Sequence, residues 1–437
     1  MREMKDSGIE WIGDIPDTWT IKRMLYCLDS VVDYRGKTPE KVDEGILLVT
    51  AKNIKDGKID YEISREYVRE ELYDEIMHRG KLKIGDVLFT TEAPLGEVAN
   101  VDSTDFALAQ RVIKFRADDT KLDNYYLKYC LMAPNTQQFL QMLSSGSTAA
   151  GIKASKLPLI KIPLPDIDIQ RKIVSFLNDV CLNIDKTASD IQHQIELLQE
   201  YKQSVITEAV TKGLDKNVAM KDSGIEWIDD IPHTWNVYRL KYIVKSSLQY
   251  GANESGLEYT DELPRYVRIT DIDNNGRLKD TDKQSLDLHT AKPYLLDSND
   301  ILLARSGATV GKAFLYHESD GPCAFAGYLI RAKCKTELLS KLVYYYTMSY
   351  SYNDWKNSIF SQATIPNIGA DKYSNLRIPI SPNEKEQRKI IDYLDQKCAE
   401  IDAVLTDKQK QLDTLTEYKK SLIYEYVTGK KEVPADA

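Results

Sequence analysis

The sequence predicts a mixed α/β (α+β) protein made of two similar domains, each followed by a long helix, with the two helices pairing as a coiled coil. Three observations carry this prediction. The chain repeats itself with a period of about 217 residues, it holds two stretches of about 40 residues free of Gly and Pro, and both stretches show 4-3 apolar spacing.

The repeat is clearest where each copy opens. Met4–Trp19 reads MKDSGIEWIGDIPDTW and Met220–Trp235 reads MKDSGIEWIDDIPHTW, identical at 14 of 16 positions. Ile162-Pro163 then aligns with Ile378-Pro379, Gln170–Ile173 with Gln387–Ile390, and Tyr201-Lys202 with Tyr418-Lys419. A period this long exceeds any solenoid unit, so each copy is a domain with an appendage. The boundaries fall at residues 1–165 (opening motif and first domain), 166–219 (first long helix and linker), 220–382 (repeated motif and second domain) and 383–437 (second long helix and tail). Between the strong matches the copies differ, as two heads with separate targets would.

Within the two blocks, short runs rich in Val, Ile, Leu and Phe and bounded by turn residues predict strands. These are 45–50, 86–91 and 111–115 in the first block and 265–270, 299–304 and 328–332 in the second. Helices are predicted over 122–131, 136–143 and 341–350, and each block has room for one sheet and one core. The long helices follow, with Asp166 and Asn383 as N-caps and Gly213 and Gly429 as stops. Ile184, Ala188, Ile191, Ile195, Leu198, Lys202 and Val205 form the seam of the first. Ile401, Leu405, Lys408, Leu412, Leu415, Lys419 and Leu422 form that of the second.

Composition narrows the function. With 437 residues, 42% hydrophobic and 29% charged, the chain can bury real cores and is not disordered. No apolar run reaches the ~18–20 residues of a membrane span, and the charged N-terminus predicts no secretory signal. Six scattered cysteines without C-x-x-C, and only five histidines, argue against a disulfide scaffold and a metal site. A soluble, reduced, cytoplasmic protein is expected. The net charge of −9 is unevenly spread: residues 166–235 carry −6, whereas blocks 20–165 and 236–382 are near neutral. A basic face on either block is therefore compatible with the composition.

Catalytic motifs are missing. Residues 307–312 (GATVGK) are one residue short of a P-loop, and Ala313 stands where the Mg²⁺-binding hydroxyl belongs. A strand-to-turn bend needing positive φ at Gly307 and Gly311 is the better reading. There is no H-E-x-x-H, G-x-S-x-G or G-x-G-x-x-G, and no catalytic residue is assigned.

Polar loops instead recur at equivalent places, carrying residue types that suit base edges and phosphates. In the first copy the candidates are Thr50, Lys52, Asn53, Thr91, Glu92, Gln110, Arg111, Ser147, Thr148 and Lys153. In the second they are Thr270, Asp271, Arg305, Ser306, Thr309, Lys312, Tyr328, Gln362 and Thr364. The Tyr125-Tyr126 and Tyr344–Tyr346 clusters fall in helices and are read mainly as core. Two other classes fit the same residues: a coiled-coil adaptor that binds proteins, and a DNA-modifying enzyme with dispersed motifs.

Taken together, KDSGIEWI-x-D-IP-x-x-W, Arg305-Ser306-Gly307 with Gly311-Lys312, and Ile-Pro followed by Gln-Arg-Lys-Ile and a long helix resemble the specificity subunit of type I restriction–modification systems. The first copy has Thr91-Glu92-Ala93 at the Arg-Ser-Gly position, without the Arg and the Lys. The resemblance implies a non-catalytic reader of double-stranded DNA, each block being a target-recognition domain for one half of a bipartite asymmetric site. It implies antiparallel helices that set the spacer, about 60 Å for some 42 residues and so at most about 18 base pairs. The implied partners are two modification subunits and ATP-hydrolysing restriction subunits. S-adenosylmethionine, ATP and Mg²⁺ are then expected on those partners, and no cofactor on this chain.

Overall fold

The computed structural model describes residues 2–34, 39–144, 151–273, 276–307, 309–360 and 366–434. The chain divides into two compact units, Met1–Gln192 with Lys410–Ala437, and His193–Gln409. Both long helices are unbroken, Ile167–Lys212 and Glu384–Val427, and each contributes one part to either unit.

In the first unit, four antiparallel strands line up in the order Leu95–Asn100, Val87–Thr91, Val112–Ala117, Leu28–Asp33. A smaller sheet pairs Phe106–Leu108 in parallel with Ile46–Val49, which pairs antiparallel with Tyr67–Val68. The second unit repeats the plan. One of its two four-stranded sheets runs Gln249–Tyr250, Leu329–Ala332, Ile301–Ala304, Ala313–Leu315, and in the other Arg265–Val267 lies parallel to Cys323–Phe325.

Two sheets per block replace the single sheet and single core predicted. The reason lies in the strands Val87–Thr91 and Ile301–Ala304, which are buried at every residue because both of their faces are covered. Val87 and Phe89 enter one core with Trp19, Phe115 and Tyr126, while Leu88 enters another with Val49, Phe106 and Val112. In the second unit Ile301 and Leu303 face Trp235 and Tyr346, whereas Leu302 and Ala304 face Val267 and Phe325. A continuous apolar run gives no alternation from which a second layer could be read.

The predicted helix over 341–350 is two helices, Glu337–Tyr346 and Tyr350–Phe360, separated where Thr347 and Ser349 turn their hydroxyls onto the carbonyls of Tyr344 and Tyr346. Those side-chain bonds compete with the helical ladder. The tyrosines behave as read: Tyr126 and Tyr346 are fully buried.

The long helices start and stop as their caps require. The Asp166 carbonyl accepts from Ile169 and Gln170, Asn383 caps Lys385 through its side chain, and Gly213 and Gly429 sit at φ +75° and +72°. In the first unit the helices pair antiparallel. Phe176 packs on Tyr426 with ring centroids 4.6 Å apart, and further along Asp185 accepts from Lys419 at 2.5 Å. In the second unit Lys202 donates to Asp402 at 2.6 Å, the same pair with donor and acceptor exchanged between helices. The seam positions Ile184, Ile191, Ile195, Val205, Ile401 and Leu422 are buried, and Ala188, Leu198, Leu405, Leu412 and Leu415 are half-buried. Lys202 and Lys419 on the seam are thus given carboxylate partners; a cation left without one there would weaken the packing. Lys58 also reaches Asp185, at 2.9 Å, fastening the first head to its helix.

Candidate nucleic-acid interface

Three polar segments of each unit meet where the strands Val87–Thr91 and Ile301–Ala304 end. In the first unit Thr91 is the last strand residue, and its backbone N–H and hydroxyl both donate to the Arg111 carbonyl, at 2.9 and 3.2 Å. The Thr91 carbonyl accepts from Ile152 at 2.9 Å, and Glu92 bridges Gly151. In the second unit the Arg305 N–H donates to the Tyr328 carbonyl at 3.0 Å, the Arg305 carbonyl accepts from Ile368 at 2.8 Å, and Ser306 bridges Asn367. One backbone clasp is therefore built twice, with different side chains on it.

The first clasp presents Glu92 and Arg111, joined Nε to Oε1 at 2.6 Å and both partly exposed. Gln110 is half-buried beside Arg111, and exposed Lys153 follows two residues after Gly151. The second presents Ser306 and exposed Tyr328, with the Arg305 guanidinium 4.9 Å from the Tyr250 ring. Gly307 and Gly311 take φ +78° and +86°, which is the bend read from the sequence. Thr309 is half-buried on this turn. Lys312 lines a cavity of about 530 Å³ with Lys356 and the Lys202–Asp402 pair. Ser147, Thr148, Gln362 and Thr364 lie outside the described residues.

Three candidates are corrected. Asn53 is fully buried, and its side chain is spent within the turn. Its Oδ1 accepts from the Thr50 N–H and hydroxyl, both at 2.9 Å, and Nδ2 donates to the carbonyls of Asp60 and Ser64. Asp271 occupies the equivalent turn, buried, and accepts from the Arg268 N–H at 2.8 Å and from its guanidinium at 2.7 Å. Thr91 is buried and committed to the clasp. These three hold the loops; Thr50, Lys52 and Thr270 remain on the surface of those turns. Asn53→Ala is expected to cost about 2–3 kcal/mol in denaturant unfolding, since it removes four hydrogen bonds of one buried side chain, to the Thr50 N–H and hydroxyl and to the carbonyls of Asp60 and Ser64.

Sequence reasoning missed Tyr250, whose hydroxyl accepts from Ala370 N–H at 2.9 Å while its ring meets Arg305. It also missed a buried charge cluster below each clasp. Asp86, 1% exposed, accepts from Arg116 Nε and Nη2 at 2.7 Å and lies 3.7 Å from the buried Lys114 ammonium. Asp300 faces Arg331 at 3.5 Å in the second unit. Burial lowers the Lys114 pKa and raises that of Asp300. The aligned Asp86 and Asp300 were the available signal, one residue ahead of each strand. Among the described residues no group of three or more His, Cys, Asp or Glu side chains is placed to hold a metal ion, and no helix is long and apolar enough to cross a membrane.

Comparison with known proteins agrees over most of the length. The MjaVIII specificity subunit of a type I restriction enzyme from Methanocaldococcus jannaschii is 25% identical over 439 residues, covering 96% of this chain and 94% of that protein. The StySPI specificity subunit of Salmonella potsdam is 23% identical, covering 66% of this chain and 62% of that one. A solved structure described as the basis of complex assembly and conformational transition of the type I R-M system has the same fold. It superposes with a TM-score of 0.66 at 18% identity, covering 95% of this chain and 99% of the other. Residues 31–197 and 232–414 match the type I restriction modification DNA specificity domain, one match for each copy, and the chain belongs to that family.

Proposed function

We propose that this chain is the non-catalytic, sequence-reading subunit of a type I restriction–modification complex, each unit reading one half of a bipartite asymmetric site in double-stranded DNA. The observation that carries this reading is the duplicated clasp with unlike side chains, Glu92 and Arg111 in one unit against Ser306, Arg305 and Tyr328 in the other. Identical heads would favour a palindrome, and unlike heads an asymmetric site. The helix pair sets the number of base pairs between the halves. Two modification subunits dock on the repeated frame. This is supported by the recurrence of solvent-exposed Met4, Glu10 and Asp14 as Met220, Glu226 and Asp230, which no intramolecular packing demands. Restriction subunits complete the complex in the cytoplasm, and S-adenosylmethionine, ATP and Mg²⁺ are bound by the partners.

The test is N6-methyladenine sequencing of cells carrying the modification gene, with and without this gene. A bipartite motif that is marked only when the chain is present is the expected result. Identical methylomes overturn the reading.

A further inference from the structure

We infer that Arg111 and Glu92 act as one unit that reads a G·C base pair in the half-site of the first domain; this rests on the function proposed above and assigns residues to it. The backbone is the first argument. Arg111 sits at φ +76°, in the left-handed region where glycine is at home and a long side chain is rare. The position is held by the two bonds from Thr91 to the Arg111 carbonyl. A non-glycine residue kept at such a place, on the turn joining the two sheets, points to a side chain needed for what it presents.

The second argument is chemical. Glu92 Oε1 lies 2.6 Å from Arg111 Nε and orients the guanidinium, whose planar fork is the group that makes bidentate contact to guanine O6 and N7. A carboxylate at this place disfavours a DNA phosphate, which is also an anion. It suits cytosine, whose N4 amino group donates to carboxylates in the major groove. An arginine and a glutamate side by side thus match both members of one base pair. The second unit has Ser306 and Tyr328 at these places, without that complementarity, so the assignment concerns one half-site alone.

Arg111→Gly tests this cleanly, because glycine accepts the backbone angle and the variant should melt at or above the wild-type temperature. The full-length chain and its variant are each co-expressed with the modification subunit, and the methylomes are compared. The purified complexes are then assayed on duplexes varied at each position of the first half-site. Wild type is expected to require a G·C pair at one position of that half. Arg111→Gly should lose this requirement, with discrimination there falling about tenfold to a hundredfold, the other positions and the second half-site being kept. Glu92→Gln should weaken the same position only. A wild-type motif that Arg111→Gly leaves unchanged overturns the assignment, as does uniform weakening over all sequences, the mark of a phosphate contact. A wild-type chain that leaves no bipartite mark overturns the functional reading and this assignment with it.

Discussion

Replacing Asp86 by alanine is expected to destabilise the first unit by about 3–5 kcal/mol, because it leaves the buried Lys114 and the part-buried Arg116 without their carboxylate. Lys114 is 1% exposed and Arg116 partly covered, and the carboxylate also caps the Lys83 N–H at 2.8 Å. Lys114→Met is the informative companion. It removes the more buried cation and leaves Asp86 with its two bonds from Arg116, so it should cost about 1 kcal/mol or less, since a buried ion is traded for a hydrophobe of similar size. Denaturant unfolding of the three proteins measures both effects. Equal losses for Asp86→Ala and Lys114→Met would show that packing and not charge sets the cost. Asp300→Ala in the second unit should cost less than Asp86→Ala, since its ion pair with Arg331, at 3.5 Å, is longer than the 2.7 Å bonds from Arg116 to Asp86.

The second large effect concerns the spacer. A seven-residue insertion placed after Gln192 and again after Gln409 keeps the 4-3 seam in register and lengthens each helix by about 10 Å, equivalent to about three base pairs. The expected methylome has both half-sites intact and the gap between them longer by about that number, with the original motif no longer marked. An insertion after Gln192 alone should cost stability, because it moves Lys202 and the apolar positions of one helix past those of the other. A gap that stays the same with both insertions in place would remove the helices from any role in spacing.

Much of this was legible beforehand. The caps at Asp166 and Asn383, the glycine stops and the seams announce themselves through local rules, so the long helices and their pairing follow from spacing alone. The exchange of Lys–Asp partners between helices was half visible: the lysines stood on the seam, but Asp185 and Asp402 read as ordinary surface carboxylates. The two-sheet blocks were hidden, because VLF at 87–89 and ILLA at 301–304 look alike whether one face or both are covered. Among the polar loops, sequence placed the right turns and misjudged individual roles. Asn53 and Asp271 carry the residue types that read adenine and cytosine, yet they are also the types that tie a tight turn together, and burial decides between the two. Arg111 and Glu92, 19 positions apart, become a pair only through the antiparallel register of Val87–Thr91 against Val112–Ala117.

The strand that leads into each block and the one that leads out lie hydrogen-bonded to one another, Thr20–Arg23 against Lys161–Leu164 and Asn236–Arg239 against Arg377–Ile380. Everything between them leaves and rejoins the frame through a single two-stranded doorway. A recombination that swaps the intervening stretch for a foreign one would therefore meet a seam already closed on either side. The architecture lends itself to exchanging each block as a cassette between two crossover points, one in each strand of the doorway.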